Sequence, residues 1–430
     1  TRLTADDLSY IVAHSGAQIL IYDYEFEGVA RDIASQVGGD LRLVRAGRHD
    51  DQYDHLLNNS TPWHRLTDDE RGLLSINYTS GTTGKPKGVM YHHRGAYLQA
   101  LAMAFETRLD PDSTFLWTLP MFHCNGWCFP WGVTAAGAVH LCLRKFDPAM
   151  AWKHLHESNV THFNGAPTVL VTMAWHPDAR PPGRPVRVAT GGAPPSPAIL
   201  QRMTELGMNV THLYGLTETF GPAVICEWRG EWNGLTVEEQ ALIKARQGVG
   251  NVISQELRVV NKRGKDVLPD GKTLGEIALR GNNVMLGYYQ DEIATRKAIP
   301  DGWFRTGDLG VMHPDGYIEL KDRVKDIIVS GGENIASIEV ERVLCAHPSV
   351  MEAAVVAAPD PKWGEVPVAF VALKAESPAT EQELIAWVRG RMAHFKAPKR
   401  IVFGEVPKNA TGKTQKFILR ARAKDLLSEA

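Results

Sequence analysis

Hydrophobic and polar positions change their spacing several times along the chain, and each change marks a different kind of element. Residues 1–75 alternate helix-spaced apolar positions with short apolar runs, which predicts an α/β domain with a largely parallel sheet. Thr4, followed by Asp6 and Asp7, reads as a helix cap before the apolar residues 8–12, and residues 18–22 read as a strand. Residues 73–78 carry the run of a buried strand, and a helix is expected over 92–106. Strands are predicted over 114–118, 138–143 and 186–190, an extended piece over 160–163, and helices over 149–157 and 169–174.

From about residue 248 the texture shifts to short alternating strands at 256–260, 275–280 and 316–320, separated by Gly, Pro and Asp turns. That pattern predicts a small antiparallel barrel or sheet beside the α/β region. A second boundary falls near 322–326, beyond which 337–346, 350–358, 368–373, 381–392 and 400–403 mix helix and strand over about a hundred residues. The expected fold class is therefore α/β. A large N-terminal domain of mixed sheets and helices with a small β-barrel covers 1–322, and a small α+β domain covers 323–430.

Composition narrows the function classes. The chain has 430 residues, 44% hydrophobic and 22% charged, with a formal net charge of −2. This is an ordinary globular make-up without the basic excess of a nucleic-acid binder. No apolar run is long enough to span a membrane. Five cysteines (Cys124, Cys128, Cys142, Cys226 and Cys345) are too sparse for a disulfide scaffold, so a reduced, cytoplasmic protein is expected. The chain opens without methionine, and we expect it to be a fragment or a processed form.

The densest chemistry lies in Thr79, Ser80, Gly81, Thr82, Thr83, Gly84, Lys85, Pro86, Lys87 and Gly88. Glycines let the backbone approach an anion, hydroxyls and amides donate hydrogen bonds, and lysines bring charge, which suits a polyphosphate. It is not a Walker loop, because Gly81 stands too close to the Gly84-Lys85 pair and Pro86 comes next. Gly191, Gly192, Ala193 and Pro194 follow a predicted strand and leave room for a flat ring. His212, Leu213, Tyr214, Gly215, Leu216, Thr217 and Glu218 follow another, at the sheet edge where α/β ligands gather. Tyr214 could stack on a base, Thr217 could bond a phosphate, and Glu218 could hold Mg²⁺. Asp308, read as a turn residue, offers an acceptor for a sugar diol. Lys413 stands on a Gly turn near the C-terminus. His123, Cys124 and Cys128 imitate a metal cluster but lack zinc spacing, and their aromatic setting of Phe122, Trp127, Phe129 and Trp131 reads instead as a pocket wall.

Taken in order, these pieces resemble the adenylate-forming enzymes, and within them the acyl-CoA synthetases. The motifs are Tyr78 to Gly88, Gly191 to Pro194, Tyr214 to Glu218, Thr306-Gly307-Asp308, Lys321 to Asp326, Gly331 to Ile335, and Pro407 to Lys413. They span essentially the whole chain. Phe122 to Trp127 and Gly281 to Tyr289 look closest to medium-chain fatty-acyl and methylmercaptopropionate-type CoA ligases. The family has a longer region before the phosphate loop, so the first part of the N-terminal domain is expected to be absent here.

The resemblance implies ATP, Mg²⁺ and CoA as cosubstrates of a small carboxylic acid, and a mobile C-terminal domain that turns on a hinge at Lys325. It assigns Thr79 to Lys85, Gly192, Ala193, Pro194, Leu213, Tyr214, Gly215, Thr217, Asp308, Arg323 and Asn334 to the nucleotide. Lys413, Thr217 and Glu218 would be catalytic, with Glu218 also on the metal. His123, Trp127, Asn164, Gly165 and Gly191 would line the acid pocket, and Gly331, Gly332 and Glu333 the CoA tunnel. The bulk of Trp127 argues for short or medium acyl chains or a compact arylpropenoate. A homodimer is the assembly considered. Two rivals remain open: an adenylating protein that loads a carrier protein, and an inactive nucleotide-binding fragment.

Overall fold

A computed structural model describes residues 3–63, 66–79, 85–192, 195, 197–255, 257–374, 377–408 and 414–428. Of the expected site residues, Ser80, Gly81, Thr82, Thr83, Gly84, Ala193, Pro194 and Lys413 lie outside the described residues. The chain divides into two units, one of residues 1–95 with 285–295, the other of 96–284 with 296–430.

The first unit begins with the helix Ala5–Ser15, which Thr4 and Asp7 close in a reciprocal capping box and Gly16 ends at φ 69°. Strands Ile19–Asp23 and Arg42–Ala46 pair in parallel around the helix Glu27–Val37. The predicted strand Leu73–Tyr78 is present, but the chain beyond it departs from expectation. Instead of passing straight into a helix, it returns as an antiparallel strand, Gly88–His92, with Tyr78 opposite Gly88. Only then does the helix His93–Thr107 start. The phosphate-type stretch thus stands between two antiparallel strands, and Thr79 N donates to Lys87 O at 3.0 Å across its described ends. A β-carbon on Gly88 would lie 2.8 Å from Ile76 Cγ2, so the hairpin base tolerates no side chain there.

The second unit is built on a seven-stranded sheet. Its order is Val249–Gly250, Gly221–Ile225, Met208–Leu216, Val186–Thr190, His162–Gly165, Thr114–Trp117, Val139–Cys142. The last five run parallel, and the first two turn antiparallel at one edge. Trp152, Phe163, Leu170, Met173 and Met203, all fully buried, fill the core between sheet and helices. The parallel strands carry apolar runs because both faces are covered.

The small antiparallel part is a four-stranded sheet, ordered Arg258–Val260, Gly275–Leu279, Phe304–Met312, Ile318–Arg323. Here Asp308 is not the turn residue expected but a mid-strand residue paired with Arg323. The C-terminal residues form a five-stranded sheet around the long hairpin Val350–Asp360 and Gly364–Leu373. Along that hairpin successive side chains enter different cores: Val355 joins one with Leu384 and Val388, while Ala354 and Val356 join another with Leu419. Glycines 331 and 332, at φ 60° and 88°, make the two-residue turn between Ile328–Ser330 and Glu333–Ile335.

Glu319, on the strand Ile318–Arg323, holds the Ser337–Cys345 helix through Arg342 at 3.2 Å and also meets Lys321 at 2.7 Å and His313 at 3.1 Å. Burial opposes its charge, but Lys321, Arg342 and His313 outweigh it and bring the carboxyl from 4.5 down to about 2. Its contribution to stability is full above the unfolded value and is lost as pH falls toward 2. Glu319→Gln should therefore cost on the order of 3 kcal/mol at pH 7. The deficit against the parent protein should shrink between pH 4.5 and 2, read from urea midpoints at each pH. A pH-independent deficit would sink this account.

Candidate active site

The carboxyl ends of the parallel strands deliver the candidate residues to one edge. Thr190 ends its strand and hands over to Gly191 and Gly192. Met208–Leu216 carries Leu213, Tyr214 and Gly215, and runs into the short 3-10 turn Thr217–Thr219 that presents Thr217 and Glu218. A β-carbon at Gly191 would lie 2.8 Å from Leu213 O and 3.2 Å from Trp127 Cη2, so the Trp127 indole lies directly on that glycine. A β-carbon at Gly215 would lie 2.0 Å from Gly221 O, and one at Gly221 would lie 3.0 Å from Trp127 Cα. The backbone approaches are possible only without side chains.

Trp127 stands on an unusual support. Cys124, Asn125, Gly126, Trp127 and Cys128 all have positive φ, from 47° to 67°, forming one left-handed turn. For a non-glycine residue this conformation costs roughly 1–2 kcal/mol. Contacts hold it in place. The Trp117 ring packs under Gly126, where a β-carbon would fall 2.9 Å from Cζ3, and Trp117 Nε1 donates to His140 Nδ1 at 3.0 Å. The Cys124 thiol donates to Thr217 Oγ1 at 3.5 Å. Burial lowers the His140 pKa, favouring the neutral ring that can accept the indole proton.

Together these residues enclose a cavity of about 20 Å³ lined by His123, Cys124, Trp127, Gly191, Gly192, Leu213, Gly215, Leu216, Thr217, Gly221 and Pro222. That is space on the scale of one water. Of the expected acid-pocket residues, His123, Trp127 and Gly191 are in its wall. Asn164 and Gly165 are buried in the neighbouring strand and are not part of the wall. Cys124, expected as part of a pocket wall, is in it, whereas Leu216, Gly221 and Pro222 are wall residues that the sequence does not assign to the pocket.

A second cluster lies on the small sheet. Tyr214 is buried and its hydroxyl donates to Asp308 Oδ2 at 2.7 Å, while Arg323 Nε lies 3.2 Å from Asp308 Oδ1. Burial first, then the Asp308 charge, push the Tyr214 phenol well above its usual value, so it remains a donor. The expected ring and sugar contacts are thereby gathered at one carboxylate. His212 is buried beneath them; its Nδ1–H donates to Arg246 O at 2.9 Å and burial lowers its pKa to about 4, which makes it a neutral structural group.

Around the expected hinge, Asp322 accepts from both Ser337 N and Ser337 Oγ, and Arg420 pairs with Asp326. Partial desolvation, then Arg323 and Arg420, bring the Lys325 amine down to about 8. Gly331, Gly332, Glu333 and Asn334 are exposed on their hairpin. In the first unit, Lys85 Nζ lies 4.9 Å from the Tyr10 ring centroid and Thr79 N donates to Lys87 O. Among the described residues no group of three or more His, Cys, Asp or Glu is arranged to hold a metal.

Residues 1–289 match the model of the AMP-binding enzyme family, and 339–413 match the AMP-binding enzyme C-terminal domain. The chain belongs to the AMP-binding enzymes. It is 49% identical over 82% of its length to the 2-methylpropanoate–CoA ligase CCL4 of Humulus lupulus, and the match spans 64% of that relative. It is 42% identical over 99% of its length to the acetate–CoA ligase CCL3 of Humulus lupulus, spanning 80% of it. The solved structure of ATP-bound MatB from Rhodopseudomonas palustris superposes with a TM-score of 0.89 at 26% identity, covering 99% of this chain and 83% of that one. This AMP-binding enzyme is an acyl-CoA synthetase, an AMP-forming acid–thiol ligase that uses ATP, Mg²⁺ and CoA.

Gly191→Ala should push the new methyl against Leu213 O and the Trp127 ring. In steady-state assays it should raise KM for the acid at least tenfold while changing KM for ATP far less. An equal rise in both would argue that the glycine serves the fold rather than the acid pocket.

Proposed function

We propose that the enzyme activates a short carboxylic acid, in the range of acetate to butyrate and its branched isomers, and transfers it to CoA. The observation that carries this reading is the Trp127 ring lying on Gly191 and beside Gly221 at the sheet edge, which leaves little room for a long acyl chain. The acetate and 2-methylpropanoate ligases among its relatives support it.

A carboxylate does not acylate a thiol at neutral pH, because oxide would have to leave. Attack on the α-phosphate of ATP replaces oxide with AMP as the leaving group. His123, Trp127 and Gly191 would orient the carboxylate, and Thr217 would donate to the α-phosphate. Tyr214 and Gly192 would flank the adenine, with Asp308, paired to Arg323, accepting from the ribose hydroxyls. Glu218 would hold Mg²⁺, which offsets phosphate charge; one protein carboxylate suffices when the phosphates supply further oxygens. Thr79 to Lys85 would take the β,γ-phosphates. Lys413 would bridge carboxylate and α-phosphate, stabilising the negative charge gathered in the transition state.

For thioester formation the C-terminal residues, from Arg323 on, would turn about Lys325, withdrawing Lys413 and bringing Gly331, Gly332 and Glu333 to the pantetheine path. The latches from Ser337 to Asp322 and from Arg420 to Asp326 would be remade in that turn. A reduced, cytoplasmic setting accords with five cysteines that are all thiols, and a homodimer is part of the same reading. Among the described residues no helix is long and apolar enough to cross a membrane.

ATP–pyrophosphate exchange over acetate, butyrate, 2-methylpropanoate, octanoate, laurate, benzoate and cinnamate tests the substrate class. The C2–C4 acids should have the highest kcat/KM, with the resulting thioesters formed on free CoA. Preference for laurate or cinnamate would overturn the proposal, and transfer only to a carrier protein would favour the rival adenylation reading. Separately, Lys413→Ala should lower exchange by roughly 10²–10³-fold, the scale of a removed transition-state charge contact. Thiolysis of supplied acyl-adenylate should be largely spared. Parallel loss of both half-reactions would remove Lys413 from its assigned role.

A further inference from the structure

The cavity wall contains a nucleophile that the two half-reactions leave unused. Cys124 is a thiol, and it lines the same small cavity as Gly191, Gly192 and Thr217, where the acyl carbonyl is proposed to form. Its Sγ lies 3.5 Å from Thr217 Oγ1 and 4.0 Å from His123 Nδ1. The left-handed turn fixes this placement, since Cys124 itself has φ 47° and its neighbour Asn125 has the same. A thiol next to an imidazole and facing a carbonyl site is an acyl-acceptor arrangement, and a nucleophile–base distance of this size commonly tightens when substrate binds.

The other cysteines lack this setting. Cys128 is wholly buried, its thiol pushed well above the usual range by burial, and it is absent from the cavity wall. Cys226 is buried and donates to Ile243 O at 3.3 Å. Cys142 and Cys345 are exposed and stand outside the wall.

We infer that Cys124 accepts the acyl group from the enzyme's own acyl-adenylate when CoA is absent, forming a thioester on the protein. The inference rests on the proposed adenylation of a short acid. The Cys124 sulfur forms a bond to the acyl carbon, the bond from that carbon to the AMP phosphate oxygen breaks, and AMP leaves with the electron pair. His123 takes the thiol proton and releases it to solvent. No electrons are gained or lost, so no oxidant or reductant is required. The product is an activated acyl group of the same oxidation level, which CoA thiol can recover by exchange of one thioester for another.

The test incubates the full chain with ATP, Mg²⁺ and butyrate without CoA, and follows intact mass while ATP–pyrophosphate exchange is measured alongside. The expected result is a single butyryl adduct per chain that requires ATP, is removed by neutral hydroxylamine, and maps to the Cys124 peptide. Adding CoA should discharge it as butyryl-CoA. Cys142 and Cys345 serve as internal controls for random thiol acylation by released acyl-adenylate. Exchange without an adduct, or an adduct on a lysine or on either exposed cysteine, would overturn the inference while leaving the ligase reading intact. Absence of exchange with every acid would overturn both.

Discussion

Backbone segments meet at the carboxyl edge of the seven-stranded sheet more closely than any side chain permits, and the site depends on that proximity. Gly215 lies under Gly221 O, Gly191 lies against Leu213 O, and Gly221 lies against the Trp127 backbone, each at a distance where a β-carbon would clash. Because the main chains are this close, the Trp127 indole can rest on Gly191 instead of on a side chain. The cavity is then bounded on one side by a rigid ring and on the other by peptide planes. Such a wall is shaped by the fold and is not free to adapt by changing rotamer. The left-handed turn is a consequence: to place an indole there from a chain arriving off Pro120, the backbone passes through five consecutive residues of positive φ. Gly126 relieves only one of them, and the packing of Trp117 and the thiol bond of Cys124 offset part of the rest.

The second determinant is the alternation along Ile318–Arg323. Neighbouring residues of a strand face opposite ways, so Arg323 meets Asp308 while Asp322 is turned toward Ser337. The Asp308–Arg323 pair and the attachment of the Ser337–Cys345 helix are therefore adjacent in sequence but on opposite faces of the strand. Glu319 adds an attachment of its own through Arg342. A turn about Lys325 would exchange the latches at Asp322 and Asp326, and because Arg323 stands two residues before the hinge it would also bear on the Asp308 pair.

Much of this architecture is legible in the sequence alone. Apolar runs mark the parallel strands, because a strand buried on both faces has no polar alternation to hide it, and the motif order identifies the family. Asp308 reads as a turn residue because Gly307, with φ 71°, imitates a turn signal within a continuous antiparallel ladder. The strand Gly88–His92 escapes a sequence reading because only five residues separate the phosphate-type loop from the helix, and the hairpin partner carries its pattern. The left-handed turn is signalled only in part: Asn125-Gly126 is a pair that favours positive φ, but nothing in the sequence marks Cys124, Trp127 or Cys128 for it. Cys124 shows in sequence only as an apparent metal ligand or a pocket-wall residue. Its significance is spatial, through Thr217 and the cavity, and spacing along the chain carries none of it.

Size selection at such a wall depends on exclusion more than on attraction. One methylene buried in an apolar site contributes about 0.8 kcal/mol, so affinity alone separates neighbouring acids by only a few-fold. Relatives that act on acetate and on 2-methylpropanoate differ by two carbons, within the range that attraction can grade. A longer chain meets a different obstacle in the Trp127 ring, which lies on Gly191 at the cavity wall. That ring is coupled through Gly126 to Trp117 and His140, and through Cys124 to Thr217. Displacing it would disturb the hydroxyl proposed to contact the α-phosphate as well as the pocket. An acid too long for the cavity would then be penalised twice, in binding and in the alignment of the adenylation step, which makes the boundary between accepted and rejected acids sharper than hydrophobic contact could produce.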